Sequence, residues 1–439
     1  MTKARKIFAI LLTVLLCFGL AGCAKEEQSP VATAAPTRPW LGAPMIGVLY
    51  PGVYDIPDSY SCSHFQSISA AMDRLSLDVE TQHLAAENVA FDRDSVHNAV
   101  KGLIDLGANV IFATDPGYSP YMLEIAEEYP HAVFCHLGGT ARNGKNLVDF
   151  SGEIYKAYFL AGCVAGYQSL SEENNAIGFV SAYGKENPDA VSAVNAFTVG
   201  AQATNAEAKI YLKVLKNAHD SMEERIAAES LVMQHGCGVL AQYTNTDATL
   251  TTAAYRGIPV CGPYFATETQ MLDGVLVSPR LNWFQFYYTA IDAAKKTDYA
   301  HEFVTQLGFD RYYAEYPSTV ITLWDGGKSK PLPEDMARIL SRGKEYLKDC
   351  APTDPDDPEY VVDEENPPYI RREGIFSGER IYELSAVEFG VAIFRRTAKD
   401  LVDIDGNVIV QADQISLTTD EIRAMDFYIE GIILVEDTQ

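Results

Sequence analysis

The chain is short of positive charge. Its 34 Lys and Arg residues stand against 60 Asp and Glu, a formal net charge of -26 at pH 7. A nucleic-acid partner would call for basic patches, so no nucleic acid is expected. The acidity reads as surface solubility rather than metal storage, and part of it is local. Asp354–Glu359 and Asp363–Glu365 form an acidic, Pro-rich run that reads as a solvated loop. Paired cysteines are also lacking. The eight are Cys17, Cys23, Cys62, Cys135, Cys163, Cys237, Cys261 and Cys350, and no two make a C-x-x-C. A zinc or redox motif therefore has no support. Cys135, Cys163 and Cys261 sit in apolar runs, where a thiol behaves as a small buried hydrophobe, so free thiols are expected over a disulfide framework. Catalytic signatures are missing too: no G-x-S-x-G, H-E-x-x-H or Gly-rich phosphate loop occurs. Ser63 and His64 are neighbours whose side chains point apart, which disfavours a nucleophile–base pair. A binding protein without metal or cofactor is the expectation, and a surface hydrolase the least favoured reading.

The first apolar run is too short to span a membrane. Lys3, Arg5 and Lys6 precede Ile7–Leu20, which is 14 residues long; a spanning helix needs about 20. Leu20-Ala-Gly-Cys23 follows and resembles the bacterial lipobox, whose Cys is diacylated and becomes the mature N-terminus. Two acyl chains anchor stably. Residues 1–22 then read as a lipoprotein signal peptide and 23–40 as a flexible tether rich in Pro, Ala, Thr and Ser. The expected location is the extracytoplasmic face of the cell membrane, with the lipid bilayer as a partner through Cys23.

From Met45 onward, short β-branched runs alternate with amphipathic stretches. Strands are expected at Met45–Tyr50, Leu77–Glu80, Asn109–Thr114 and Ala132–Cys135, with helices around Phe65–Leu75, Asp94–Gly107 and Pro120–Tyr129. Asn146–Tyr167 then begins as a polar lead and becomes a small-residue helix. Gly162 and Gly166 sit four apart in it; Gly inside a helix costs about 1 kcal/mol against Ala, so close approach of the helix to a sheet is expected. The pattern restarts with strands at Ala176–Val180, Lys209–Val214, Val239–Gln242 and Pro259–Cys261, separated by helices at Asp189–Ala201, Ser221–His235 and Thr249–Gly257. Two such sets imply two similar parallel-sheet lobes. Beyond them come a return strand at Val275–Ser278, a helix headed by Asn282–Tyr288, a strand at Ser318–Trp324 and a helix at Pro333–Leu347. A turn between two strands at Asp403–Val408 and a terminal helix at Thr418–Glu430 complete the chain. The domain reading is 41–155 with about 265–330 as lobe 1, 156–264 as lobe 2, and 331–439 as an extension packing on the lobes.

Several motifs fall in one order. They are Val110–Thr114 with Gly117-Tyr118, Ala126–Pro130, Phe134-Cys-His136, Tyr155–Gly166 in the form Y-x-A-x-x-L-A-G-x-x-A-G, Asn195-Ala-Phe197 with Gly200, Gln242 with Thr244 and Asp247, Leu281–Tyr288, Asp405-Gly-Asn407, and Thr418–Gly431. Together they resemble the basic membrane protein family of bacterial substrate-binding lipoproteins, related to the purine nucleoside receptor lipoprotein. The resemblance implies a type I periplasmic-binding fold: an α/β protein of two doubly wound lobes joined by a hinge, with the ligand between them. It also implies a small-molecule ligand, a nucleoside or other aromatic solute, and an ABC permease as partner. In nucleoside receptors of the family a Phe matching Phe197 stacks on the base. An acid after the strand matching Val260-Cys261 holds the ribose there; Tyr264–Thr267 of this chain carries none. A ligand-sensing lipoprotein that signals to a membrane receptor or kinase is the alternative the sequence leaves open.

Binding clefts combine stacking rings with a few orienting polar groups. At the strand ends the candidates are Tyr60, His64, Asp115, Tyr118, Phe150, Phe197, Gln242, Tyr243, Tyr264, Asn282 and Trp283, with Tyr54 and Asp55 in the first loop. Core packing remains open for each ring. His64 fits equally a helix cap or a bond to a neighbouring loop, and Asp115 fits equally a cap for the helix after Pro116. Asp149, Phe150 and Tyr155 flank the first crossing and are expected to face ligand.

Overall fold

A computed structural model describes residues 44–57, 59–265, 274–326, 331–349, 401–410, 417 and 419–436. The segments read as a signal peptide and a tether, Cys23 among them, the acidic run at 354–365 and Cys350 lie outside these residues.

Apolar runs bounded by Gly, Pro and Asp become the strands of the first sheet: β1 (Ile46–Leu49), β2 (His83–Ala86), β3 (Val110–Ala113), β4 (Val133–Leu137) and β5 (Leu147–Gly152). Every residue of β1, β3 and β4 is buried, as parallel strands covered on both faces require. The covering helices are α1 (Tyr60–Arg74), α2 (Val79–Gln82), α3 (Arg93–Asp105) and α4 (Ser119–Glu128). Their starts are chemically marked: Ser59 accepts from the Cys62 amide and Asp92 from the Ser95 amide.

The chain then crosses into α5 (Ile154–Ser171), and a second set follows: β6 (Ala176–Ser181), α6 (Pro188–Thr204), β7 (Lys209–Val214), α7 (Ser221–Met233), β8 (Val239–Tyr243), α8 (Ala248–Arg256) and β9 (Val260–Cys261). Asn187 caps α6 ahead of Pro188. Gly257, in the left-handed region at φ 69°, closes α8. The return comprises β10 (Ser278–Leu281), α9 (Phe284–Lys296), α10 (Phe303–Leu307), β11 (Arg311–Ala314), β12 (Ile321–Trp324) and α11 (Glu334–Asp349). The tail supplies β13 (Leu401–Val402), β14 (Val408–Val410), α12 (Thr419–Arg423) and β15 (Ile432–Leu434).

The first sheet runs β11-β5-β4-β3-β1-β2 and the second β15-β7-β6-β8-β9, every pairing parallel. Each has the doubly wound order, so the two sheets are alike and their carboxyl ends frame a crevice. β10 pairs antiparallel with β12, and β13 with β14 around the expected turn at Asp403–Val408.

Several expectations need correction. Leu77–Glu80 is not the second strand. Asp78 accepts from the Glu80 amide, starting the short α2, and β2 follows at His83. The return strand starts at Ser278, while Val275 makes only an isolated bridge to Val260. The polar lead at Asn146 runs directly into a strand, β5. The glycines of α5 serve a helix–helix contact, not helix on sheet: a Cβ at Gly162 would strike the Phe197 carbonyl, and one at Gly200 the Phe159 carbonyl. The terminal helix stops after Arg423. Asn195 of α6 donates to the Phe427 carbonyl at 2.8 Å and accepts from the Ile429 amide at 3.2 Å. That capture straightens the chain into β15. Cys62, Cys135, Cys163, Cys237 and Cys261 are buried, and none of them is in a disulfide among the described residues.

Candidate ligand cleft

Two adjoining cavities lie where the carboxyl ends of the two sheets meet. The inner one holds about 30 Å³ and is walled by rings: Tyr60 of α1, Tyr183 after β6, Tyr243 of β8, Tyr264 after β9, and Trp283 before α9. The outer one holds about 1000 Å³ and is bordered by polar groups, among them Ser119, Ser151, Asn187, Asp189, His219 and Arg423. Pro116, Ser151, Tyr183, Asn187 and Asp189 wall both. The inner space fits one or two waters, while the outer matches the 300–1000 Å³ or so of small-molecule sites.

The cage is built from a chain of hydrogen bonds that crosses between lobes. Tyr264 donates to Asn245 Oδ1 at 2.9 Å, Asn245 Nδ2 donates to the Tyr183 hydroxyl at 2.7 Å, and Tyr183 donates to Asp115 Oδ2 at 2.8 Å. Tyr60 donates to the Thr114 carbonyl at 2.6 Å, and its backbone N–H reaches the Asn245 carbonyl. The rings touch: Tyr243 and Tyr264 lie 4.8 Å apart between centroids, and Tyr60 and Tyr264 6.0 Å. Trp283 Nε1 is buried and has no hydrogen-bond partner among the described residues. A donor without an acceptor in an aromatic cage is costly unless a ligand or water completes it.

Burial governs the charges. It pushes the Asp115 carboxyl up to about 6, against the Gly117 amide and the Tyr183 hydroxyl, whose bonds favour the ionised form. The Asp189 carboxyl is likewise pushed up to about 6 by burial, with Arg423 acting in the other direction. His64, wholly enclosed, is held down to about 3 and His219 to about 4. Behind the cage Glu224, pushed by burial to about 7, accepts from Thr244, Thr246 and the Thr249 amide and so shapes the loop after β8.

Of the sequence candidates, Tyr60, Tyr243, Tyr264 and Trp283 come together as walls. Others stand behind them. His64 Nδ1 lies 2.6 Å from the Tyr287 hydroxyl and packs edge-on against Tyr60. Asp115 caps the turn at Pro116 through Gly117 and also holds Tyr183, so its two readings combine. Phe150 stacks on Phe286 at 4.2 Å and meets Trp283 edge-on. Gln242 bonds Thr244 and the Thr246 carbonyl within its own loop. Tyr118, Phe197 and Asn282 lie apart from the cavity walls. Tyr118 donates to the Val89 carbonyl, Phe197 packs edge-on against Phe179 beneath the α5–α6 crossing, and Asn282 accepts from the Phe284 amide at the start of α9. Tyr54 packs on Tyr50 and Phe65, Asp55 is exposed, and Tyr155 is buried. Asp149 is buried against Arg423 at 2.9 Å. Sequence reasoning missed Tyr183, Asn187, Asp189, Asn245 and Arg423. The first three follow β6 at its carboxyl end, a position that was available as a signal. Arg423 comes from the far end of the chain, and nothing local marks it.

Residues 43–256 match the family model described as Bmp, ABC transporter substrate-binding protein PnrA-like. That stretch, just under half of the chain, is similar to this family. A putative ABC transporter glucose-binding protein of Haloferax volcanii is 31% identical over 235 residues, covering 53% of this chain and 57% of that one. A purine-binding protein of Brucella abortus is 27% identical over 217 residues, covering 48% and 59%. The chain thus spans less than two thirds of the length of these curated relatives. Among solved structures, a transcriptional activator of the comK gene from Bacillus halodurans aligns with a TM-score of 0.53 at 17% identity, covering 69% of this chain and 97% of that one. A solute-binding protein of an ABC transporter system from Aeropyrum pernix K1 gives 0.53 at 15%, covering 68% and 85%. These likenesses show the fold alone, that of periplasmic binding proteins with two doubly wound lobes.

Proposed function

We propose that this chain is an extracytoplasmic solute-binding lipoprotein that captures a small aromatic, nucleoside-like solute between its lobes and delivers it to an ABC permease. The observation that carries the reading is the inner cage: tyrosines from both lobes meet Trp283, whose indole N–H lacks a partner among the described residues, beside a cavity of ligand size. The purine-binding and glucose-binding relatives agree with a small organic solute. Leu20-Ala-Gly-Cys23 would supply the anchor, with diacylated Cys23 in the outer leaflet of the cell membrane. Proposed ligand-binding residues are Tyr60, Tyr243, Tyr264 and Trp283, with Tyr183 and Asp189 added. His64, Asp115, Phe150 and Gln242 act from behind, and Tyr118, Phe197 and Asn282 would need a rearranged cleft to touch solute. The inner space is too small for a nucleoside ring system as it stands, so uptake requires the lobes to part and close again around it.

Thermal-shift screening of nucleosides, nucleobases, flavin-like compounds and sugars tests the reading. Binding stabilises the folded state by RT ln(1+[L]/Kd), so a ligand at about 100 times its Kd adds about 2.7 kcal/mol. A concentration-dependent rise in Tm for an aromatic solute is expected. No rise across the whole panel would remove the solute-receptor role.

A further inference from the structure

The tail, beyond the stretch that matches the family, brings an arginine to the cleft. Arg423 stands at the end of α12, just before the segment that Asn195 holds against the second lobe. Its side chain is only 10% exposed. One end of the guanidinium is fixed: Nη2 donates to Asp149 Oδ2 at 2.9 Å, to the Gly139 carbonyl at 3.0 Å and to Ser151 Oγ at 3.1 Å. The group also lies over the Tyr313 ring, 5.4 Å from its centroid. Nη1, at the other end, is buried with no partner among the described residues. Asp189 of the second lobe borders the same outer cavity, and its carboxylate makes no side-chain hydrogen bond among the described residues. The two groups are electrostatically coupled without forming a direct ion pair.

We propose that Arg423 and Asp189 form a two-sided polar clamp for a hydroxyl-bearing part of the ligand, such as a sugar or other polyol, beside the aromatic cage. The proposal rests on the solute-binding reading and names the polar half of the solute. A planar guanidinium held by three acceptors at one end is pre-organised to donate from the other. A hydroxyl oxygen both accepts and donates, so in the cavity that both residues border it matches the Arg423 donor and the Asp189 acceptor alike. A zwitterion fits less well. Arg423 shares buried Asp149 with Arg311, but Asp189 borders the same outer cavity, so a ligand carboxylate placed there would meet a like charge as well as the guanidinium. Buried polar groups that lack partners discriminate strongly between ligands that complete them and ligands that do not.

The test is calorimetric titration with adenosine and 2′,3′-dideoxyadenosine, and with glucose and phenylalanine, on wild type, Arg423→Lys and Asp189→Asn. Arg423→Lys keeps a cation for Asp149 but lacks the second arm of the fork, and Asp189→Asn leaves the Arg423–Asp149 pair untouched. Wild type is expected to prefer the hydroxylated member of the adenosine pair by about tenfold or more. Each variant should lose most of that preference. If wild type binds without such a preference, if both variants keep it, if they weaken both compounds equally, or if phenylalanine is the tightest ligand, the clamp is overturned while the solute-binding reading stands. If none of the four compounds binds wild type, and none of the wider thermal-shift panel does, that reading falls and the clamp with it.

Discussion

Tyr183 is the residue on which the closed cleft turns. It extends from the second lobe, yet its hydroxyl donates to Asp115 of the first and accepts from Asn245. Tyr183→Phe removes one oxygen and leaves a buried carboxylate oxygen and an amide N–H unpaired. A loss of about 1–3 kcal/mol is expected, read by urea denaturation; a loss below about 0.5 kcal/mol would mean that this bridge adds nothing. Glu224 offers a second test, through pH. Its carboxyl is raised from 4.5 to about 7 by burial, so between those values the folded state holds more protons than the unfolded chain. Its contribution to stability is therefore greatest at low pH and is lost as pH rises from the unfolded value through the folded one. Glu224→Gln cannot ionise. The Tm of the variant minus that of wild type should climb between about pH 5 and pH 8, and a flat difference would contradict the burial account.

Among the elements, the α5–α6 crossing sets the architecture of the second lobe. Gly162 and Gly200 let the two helices touch through backbone. Gly162→Ala should cost about 1–3 kcal/mol, because the obstacle is a carbonyl that cannot rotate away. Gly102, exposed in α3 with open space where a Cβ would stand, is the matched control. Gly102→Ala should gain about 0.5–1 kcal/mol from helix propensity alone. Equal effects at the two sites, read by chemical denaturation, would dismiss the packing explanation. These elements also show what a sequence can and cannot disclose. The alternation of β-branched runs and capped helices pointed to the parallel lobes, because period and capping are local. The identity of the surface that meets Gly162 was not local, and a helix was expected to meet a sheet where it meets α6. The tail shows the same limit. Thr418–Glu430 carries a helical pattern, but Asn195, far earlier in the chain, takes two of its backbone groups and leads it to β15. Site residues divided likewise. Tyr60, Tyr243, Tyr264 and Trp283 were legible as rings at strand or helix ends. Phe197 had the same credentials and lies beneath the cleft, because facing direction depends on how α6 packs. Arg423 was invisible until the tail was placed.

For the molecule as a whole, two sheets of the same winding face each other across a cleft, and three kinds of connection tie them: the chain crossings at α5 and after β9, the Asp115–Tyr183–Asn245–Tyr264 bonds, and Arg423 on the tail. A solute can favour closure only by binding the closed form more tightly than the open one. In the proposed function the aromatic cage would supply that difference, since its walls come from both lobes and from the segments between them. Trp283 reports on it directly. The measurement is a tryptophan fluorescence titration of wild type and Trp283→Phe with the solute that raises Tm most. The account predicts a saturable change in wild-type emission at the calorimetric Kd and, in the variant, loss of most of that change together with weaker binding. A solute that binds both proteins with the same Kd and leaves the wild-type emission unaltered would place the ligand elsewhere and contradict the cleft assignment.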